Sequence, residues 1–254
     1  MVNIDIINCL NDNYSYIIHE PETNIVAVVD PSEFKPVNLL IEKKFKKIDY
    51  ILNTHHHFDH VGGNNELKKK YNCKIIGSHF DLNRIPGIDI SLKENEKFTL
   101  GNIVFNTLFI PGHTSGHIAF FSEKEKIIFT GDTLFSLGCG RIFEGTYEEM
   151  FQSLQKIKSL PKKTRIYCGH EYTKKNYNFC KEYDPTNKLL EQKINWINLK
   201  IKEGTPTVPV TIEEEINRNI FLRCDNPSVK ANLGMEEASS LMIFKKLRDL
   251  KDTF

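Results

Sequence analysis

Short apolar runs alternate with amphipathic stretches through the first two thirds of the chain. The runs are rich in Ile, Val, Phe and Tyr, and turn residues bound most of them, which predicts β-strands. The predicted strands span residues 14–19, 24–30, 49–53, 73–78, 103–110, 117–122, 126–131 and 165–169. Helices are predicted at residues 36–45, 64–71 and 147–159. Thr146 and Glu149 form a capping-box pattern where the last of these begins.

After residue 172 the strand-like runs stop and helical periodicity takes over. The predicted helices lie within residues 173–184, 187–204, 211–219 and 235–251. We therefore predict an α/β body at residues 1–172 and a helical part at residues 173–254. Because the helical part is poor in apolar residues, we expect it to pack on the body.

Composition narrows the class of protein. Of the 254 residues, 40% are hydrophobic and 26% are charged, which is typical of a soluble globular protein. The net charge of +1 argues against a nucleic-acid partner. No run approaches the roughly 20 apolar residues of a membrane span, and the N-terminus lacks the pattern of a secretory signal. Six cysteines without a C-x-x-C pair indicate free thiols in a reduced, cytoplasmic protein.

Four histidines and an aspartate lie within the stretch THHHFDH. His55 and His57 are two positions apart just after a predicted strand, so both can turn to the same side and share one ion. Asp59 and His60 are adjacent and diverge, which suits a second ion. Imidazole and carboxylate ligands favour zinc, iron or manganese. Two ions roughly 3.5–4 Å apart are typical of two-metal hydrolases.

Three further candidate ligands each follow a separate apolar run. They are His113 after LFIPG, Asp132 after IIFTG and His170 after RIYCG. If these runs are strands of packed sheets, their ends can converge on one edge, where sites are usually built. A run of histidines alone is sometimes a solvated patch. Together with three more candidates after separate strands, it indicates a functional metal site.

The remaining histidines and Cys139 are expected to be packing, supporting or exposed residues rather than ligands. His56 lies between two candidate ligands and should point away from the ion, as a packing or supporting residue. His117 begins a strand, and we interpret it as a supporting group rather than a ligand. His19 and His79 lie outside any motif and are expected to be structural or exposed. Cys139, in GCG, is expected to pack in a tight loop.

The motifs THHHFDH, PGHTSGH, GDTLF and CGHEY resemble the metallo-β-lactamase superfamily. Within it, GDTLFSLGCGRIFEGT, YCGHEYT and the helical tail resemble glyoxalase II, the hydroxyacylglutathione hydrolases, over nearly the whole chain. The resemblance implies an α/β fold, an αββα metallo-β-lactamase-like sandwich with a C-terminal helical domain. Residues 1–172 would form the catalytic domain, and residues 173–254 the substrate-binding domain.

The resemblance also implies two divalent metal ions, and we expect zinc, with iron or manganese as alternatives. One ion would bind three of the candidate histidines, His55, His57 and His113. The other would bind Asp59, His60 and His170, and Asp132 would bridge the two ions. Asp59 would have a catalytic role as well, because it can accept a hydrogen bond from the attacking hydroxide that the ions generate.

The implied substrate is an S-2-hydroxyacylglutathione thioester. S-D-lactoylglutathione would yield D-lactate and glutathione, the second step of methylglyoxal detoxification. The implied glutathione contacts are Arg141, Phe143, Tyr172, Arg248 and Lys251, of which the three cations can pair with the carboxylates of glutathione. Some members carry Lys where Arg141 stands, and many carry Tyr where Phe143 stands, so a hydroxyl contact is lost here.

Rival hypotheses share the fold or the metal. A glutathione-persulfide dioxygenase with a single iron would need neither a complete second ligand set nor the helical tail. A β-lactamase would have no use for Arg248 and Lys251, and an RNA-processing nuclease would require a basic surface. A metal-binding module without catalysis would not need the substrate set. We therefore expect a cytoplasmic, monomeric hydrolase of a small-molecule glutathione thioester, without a nucleic-acid or membrane partner.

Overall fold

The structure is a computed structural model that describes residues 2–254. The described chain divides into two compact units. The first comprises the chain up to Phe109 together with Ser115–Gly131, and the second comprises Ile110–Thr114 and Asp132–Phe254. The domain boundary predicted at residue 172 stays a prediction. Among residues 2–254, no helix has the length and apolar character needed to cross a membrane.

Six strands form the first sheet of the first unit. In spatial order they are β1 (Asn3–Cys9), β2 (Asn13–Glu20), β3 (Ile25–Val29), β4 (Tyr50–Leu52), β5 (Lys74–Ser78) and β6 (Ile90–Leu92). β1, β2 and β3 pair antiparallel, whereas β3 to β6 pair parallel. Because parallel strands end at the same edge of a sheet, the residues that follow β3 and β4 become neighbours.

Four antiparallel strands form the second layer of this unit, in the order β10, β9, β8, β7. Their bounds are β7 (Lys97–Leu100), β8 (Ile103–Phe109), β9 (Ile118–Ser122) and β10 (Ile127–Gly131). The two layers meet through aromatic rings. The ring centroids of Tyr16 and Phe129, both fully buried, lie 5.5 Å apart. Those of Tyr50 and Phe98 lie 5.1 Å apart.

Helices cover the other face of the first sheet. They are α1 (Phe34–Lys44), the short α2 (Phe58–Val61) and α3 (Asn64–Tyr71). Val37, Ile41 and Leu67 are fully buried in one cluster with strand residues such as Ile51 and Ile75. Side chains alternate between the faces of a strand, so this cluster is separate from the aromatic layer on the opposite face. The helices predicted at residues 36–45 and 64–71 are confirmed.

The second unit is mainly helical. It contains the hairpin of β11 (Leu134–Phe135) and β12 (Gly138–Cys139), and the antiparallel pair β13 (Arg165–Cys168) and β14 (Val210–Thr211). Its helices are α4 (Tyr147–Lys158), α5 (Thr173–Tyr183), α6 (Lys188–Glu191), α7 (Ile194–Lys202), α8 (Ile212–Arg218), α9 (Pro227–Asn232) and α10 (Ser240–Thr253). The rings of Phe179, Phe221 and Phe244 pack in series in its core.

Most local predictions agree with the structure. All eight predicted strands are present, and the capping box of Thr146 and Glu149 is formed in both directions. The single helix predicted at residues 187–204 is wrong, because the chain turns at Gln192 and Lys193 and separates α6 from α7. The helix predicted from residue 235 begins at Ser240, since Ser239 caps it by accepting a hydrogen bond from Met242 N. All six cysteines are buried free thiols, as predicted.

Candidate metal centre

The histidine run lies where β4 ends and the chain enters α2. The ring centroid of His55 lies 4.1 Å from that of His60 and 4.7 Å from that of His57. His60 Nε2 is 3.7 Å from Asp59 Oδ2, which also accepts a hydrogen bond of 2.9 Å from Asn13 Nδ2. The first unit therefore brings together the four candidate ligands of the run.

A buried aspartate that sequence reasoning missed orders this run. Asp30 directly follows β3, and its Oδ1 accepts a hydrogen bond of 2.8 Å from Thr54 N. Its Oδ2 accepts one of 2.6 Å from Thr54 Oγ1 and lies 3.0 Å from His60 Nδ1. A carboxylate at Nδ1 keeps the ring proton there, which leaves Nε2 to bind a metal. The signal was present, because Asp30 ends the apolar run NIVAVVD much as Asp132 follows IIFTG.

The other histidines occupy supporting positions. His56 Nδ1 lies 3.4 Å from Oδ2 of the fully buried Asp81, which suits a packing or supporting residue. The ring of His117 stacks on that of His55, with centroids 4.6 Å apart and planes at 17°. The last two histidines have local hydrogen-bond partners, Asn24 for His19 and Ser91 for His79.

In the second unit, Asp132 lies between two candidate histidines. Its Oδ2 is 3.5 Å from His113 Nε2 and 3.2 Å from His170 Nε2, and all three side chains are buried. His113 Nδ1 lies 2.8 Å from the carbonyl oxygen of Arg141, so Nδ1 is the donor and Nε2 faces the carboxylate. One carboxylate shared by two imidazoles fits the predicted bridging ligand. Nitrogen and carboxylate donors of this kind suit zinc and related divalent ions.

Two glycines allow the backbone to approach closely around these ligands. Gly112 has a φ of 141°, and a Cβ there would lie 2.6 Å from the Cβ of Met150. At Gly140, a Cβ would lie 1.9 Å from the carbonyl oxygen of Asp132. Any larger residue would push the loop away from His113 or Asp132.

Two predicted glutathione contacts touch the candidate ligands of this unit. The ring of Tyr172 stacks on that of His170, with centroids 4.7 Å apart and planes at 3°. The ring of Phe143 meets His113 edge-on at 5.2 Å and is 62% exposed. Arg141 also has an exposed side chain. Both rings therefore lie beside candidate ligands, and the side chains of Phe143 and Arg141 are open to solvent.

The two C-terminal cations are placed differently. Arg248 is only 3% exposed, and its Nη1 donates a hydrogen bond of 2.9 Å to Cys139 O. Its Nη2 donates one of 3.0 Å to Asp252 Oδ1. Lys251 Nζ lies 4.9 Å from the ring centroid of Phe179, and burial lowers the pKa of its ammonium group. Each cation thus has protein partners.

Buried polar side chains of α8 and its C-terminal cap hold the β11–β12 hairpin, the segment that leads from Asp132 to Arg141. Glu215 Oε2 accepts a hydrogen bond of 2.8 Å from Leu137 N, and Asn219 Nδ2 donates one of 3.0 Å to Gly138 O. Burial raises the pKa of Glu215 to about 7. Burial also raises the pKa of the Cys139 thiol, which suits the packing role expected for it.

Replacing Asp30 tests its role in orienting His60. We expect Asp30→Asn to lower the affinity for zinc about 10- to 100-fold, the usual cost of losing a partner that orients a ligand. Asparagine tolerates the φ of 46° at this position. A competition titration with a chromophoric chelator measures the affinity. The control is Asp89→Asn, which removes a carboxylate that accepts from Ile75 N. Equal affinities for the two variants would contradict the assignment.

The pKa of Glu215 predicts a pH-dependent contribution to stability. The folded protein retains this proton up to pH about 7, whereas the unfolded chain loses it near the ordinary value of 4.5. The folded state then binds more protons, so stability falls as pH rises through this window. As the pH rises from 4.5 to about 7, we expect the free energy of unfolding of Glu215→Gln to increase by about 3 kcal/mol relative to that of wild type. Urea unfolding at several pH values measures this gain. Glu213→Gln, at an exposed position of the same helix, is the control, and parallel pH dependences for wild type and Glu215→Gln would refute the prediction.

Two sequence families account for the whole of residues 10–254. The family described as the metallo-β-lactamase superfamily matches residues 10–170. The family described as the hydroxyacylglutathione hydrolase C-terminus matches residues 171–254. Relatives that align with this chain over their full length are named hydroxyacylglutathione hydrolase. The hydroxyacylglutathione hydrolase of Pelagibacter ubique is 53% identical over 253 residues and is covered completely, as is this chain. That of Methylococcus capsulatus is 43% identical, with 100% of this chain and 99% of the relative covered.

Solved structures agree on the fold. The crystal structure of the BLEG-1 B3 metallo-β-lactamase has a TM-score of 0.66 at 20% identity, covering 87% of this chain and 99% of that chain. That of ETHE1 from Myxococcus xanthus has a TM-score of 0.65 at 21% identity, covering 94% and 86%. The predicted metallo-β-lactamase-like α/β fold with C-terminal helices is confirmed. By its full-length relatives, the chain belongs to the hydroxyacylglutathione hydrolases, or glyoxalase II, of the metallo-β-lactamase superfamily.

Proposed function

We propose that the protein hydrolyses S-2-hydroxyacylglutathione thioesters and converts S-D-lactoylglutathione to D-lactate and glutathione. The observation that carries this proposal is the contact between predicted glutathione-binding rings and predicted metal ligands within one unit. Tyr172 stacks on His170, and Phe143 meets His113 edge-on. A thioester held by these rings would have its reactive carbonyl beside the metal ligands, as hydrolysis requires.

The chain binds divalent metal, and we assign two ions to it. His55, His57 and His113 would hold one, Asp59, His60 and His170 the other, and Asp132 both. Divalent ions bound by these residues supply an activated water and polarise the thioester carbonyl. The supporting observations are the convergence of the histidine run and the position of Asp132 between two Nε2 atoms. Zinc as the metal, the monomeric state and the cytoplasmic location stay predictions from the sequence.

The side chains of this protein then have separate tasks. Asp30 and the carbonyl of Arg141 hold protons at His60 Nδ1 and His113 Nδ1, so that both rings offer Nε2. Asn13 orients Asp59 through its Oδ2. Asp59 can accept a hydrogen bond from the attacking water and so direct it towards the thioester carbon. The thiolate of glutathione is a good leaving group, so no serine or cysteine nucleophile is needed.

Substrate recognition would depend on charge and stacking. Glutathione carries two carboxylates, and Arg141 offers an exposed guanidinium that can bind one of them bidentately. Lys251 would serve as a second cation, and the exposed ring of Phe143 would cover the peptide. The match of residues 171–254 to the hydroxyacylglutathione hydrolase C-terminus favours this function over the alternative, a persulfide dioxygenase with one iron.

Turnover tests the proposal directly. Metal-loaded enzyme is mixed with S-D-lactoylglutathione, and the thioester absorbance is followed. We expect it to fall, and to stop falling after the metal is chelated, because the activated water depends on the ions. Refilling with zinc should restore the rate. Turnover no faster than in the chelated control would contradict the proposal, and oxygen consumption with glutathione persulfide would support the dioxygenase instead.

Many family members carry tyrosine where this chain has Phe143, and a single substitution can restore it. We expect Phe143→Tyr to lower KM for S-D-lactoylglutathione roughly fivefold, because one added hydrogen bond contributes about 1 kcal/mol. kcat should change little, since the hydroxyl would bind the peptide and not the reacting carbonyl. Steady-state kinetics measure both constants. Phe80→Tyr, another exposed phenylalanine, is the control. An unchanged or raised KM in Phe143→Tyr would show that no such contact forms.

A further inference from the structure

A second buried carboxylate lies beside the histidine run, at the end of the next strand. β3, β4 and β5 are parallel neighbours, so their ends meet at one edge of the sheet. Asp30 follows β3, the histidine run follows β4, and Asp81 ends a 3₁₀ turn that comes directly after β5. The run is therefore flanked by one aspartate on each side. Asp81 is completely buried and has no part in the proposed mechanism.

One oxygen of Asp81 is held by an arginine. Oδ1 accepts a hydrogen bond of 2.9 Å from Arg84 Nε and a second one from Arg84 Nη2. The backbone of Gly116 packs against the same oxygen, because a Cβ at Gly116 would lie 2.1 Å from it. A buried carboxylate is stable only when it is paired and hydrogen-bonded. Arg84 therefore fixes the position of Asp81.

The other oxygen of Asp81 faces His56. No hydrogen bond from residues 2–254 reaches Oδ2, which is shielded from solvent and lies 3.4 Å from His56 Nδ1. This separation is longer than that of an ordinary hydrogen bond, but solvent screens the attraction only weakly at a buried site. The ring centroid of His56 lies 6.5 Å from that of His55, whereas the rings of His55 and His57 are 4.7 Å apart. The middle histidine thus turns away from its neighbours and towards Asp81.

A second connection leads from the same ion pair to His55. Arg84 Nη2 donates a hydrogen bond of 3.0 Å to Ser115 Oγ. Two residues further along the chain, the ring of His117 stacks on that of His55, with centroids 4.6 Å apart. Asp81 and Arg84 therefore contact both the histidine run and the segment that carries the stacked ring.

We propose that Asp81 is a positioning residue, which orients the metal ligands on either side of His56 by holding the ring of that histidine. This rests on the proposed function, because it takes His55 and His57 as ligands of one ion. Two ligands at i and i+2 face the same side of an extended segment only while the residue between them faces the other side. A buried anchor for the middle ring fixes the backbone rotation that both ligands share. Supporting carboxylates commonly orient metal ligands in this indirect way.

Metal binding without substrate tests the proposal. The zinc affinity of wild type, Asp81→Asn and His56→Leu is measured by competition with a chromophoric chelator, and the visible absorption of the cobalt(II)-loaded proteins is recorded. Asp81→Asn keeps an oxygen for Arg84 but removes the carboxylate charge that faces His56. We expect both variants to bind zinc roughly tenfold more weakly, the lower end of the usual cost of losing a supporting partner. We also expect their cobalt absorption to shift, because it responds to ligand geometry.

Further variants distinguish positioning from a general loss of stability. His56→Asn, whose amide can donate in place of Nδ1, should recover most of the zinc affinity. Because Asp81 acts through His56, adding Asp81→Asn to His56→Leu should weaken binding no further. The matched control is Glu20→Gln, at another buried carboxylate of the first unit, which accepts hydrogen bonds from Glu22 N and Thr23 N. It should leave both the affinity and the spectrum unchanged.

Three results would overturn the proposal. They are wild-type affinity and spectrum in His56→Leu, additive losses in the double variant, and a loss in His56→Asn as large as in His56→Leu. The side chain of His56 is 17% exposed, so the variants at this position keep the test decisive if Asp81→Asn does not fold. Binding is measured without substrate and turnover is assayed separately. Absent turnover with intact zinc binding would therefore contradict the proposed function and leave the role of Asp81 standing.

Discussion

The buried carboxylate of Asp30 is the interaction on which the first half of the candidate centre depends. A charge at 2% exposure is costly unless it is hydrogen-bonded, and Thr54 and His60 supply the bonds. The same hydrogen bonds fix the backbone at Thr54, just before the histidine run. They also keep the proton of His60 on Nδ1, so that its Nε2 can bind a metal. They exist because β3 and β4 pair in parallel and end at one edge. The sheet therefore positions the candidate ligands of the histidine run through the side chain of Asp30.

In the second unit, Arg141 would connect the proposed metal binding with the proposed substrate binding. The carbonyl of Arg141 orients His113, and its guanidinium is the proposed partner of a glutathione carboxylate. A shift of this loop would disturb both tasks at once. This explains why buried side chains of α8 and α10, among them Glu215 and Arg248, hold the backbone that leads to Arg141.

The fold alone does not decide the activity. A β-lactamase shares it at 20% identity, so function must be argued from particular residues. Residues 171–254 match the family described as the hydroxyacylglutathione hydrolase C-terminus, and their helices also supply the polar anchors of the β11–β12 hairpin. Glutathione would thus bind to a loop that the same helices hold in place. A loop that is already ordered loses less conformational entropy on binding.

The sequence by itself determined those features that depend on residues close together along the chain. Apolar runs marked the eight predicted strands, Thr146 and Glu149 marked a capping box, and the motifs marked the candidate ligands and the family, because each signal lies within a few positions. Only the tertiary structure decided the role of Asp30, the burial of Arg248 and the break within residues 187–204. Arg248 and Cys139 are 109 positions apart, and such contacts arise from packing that no local pattern records.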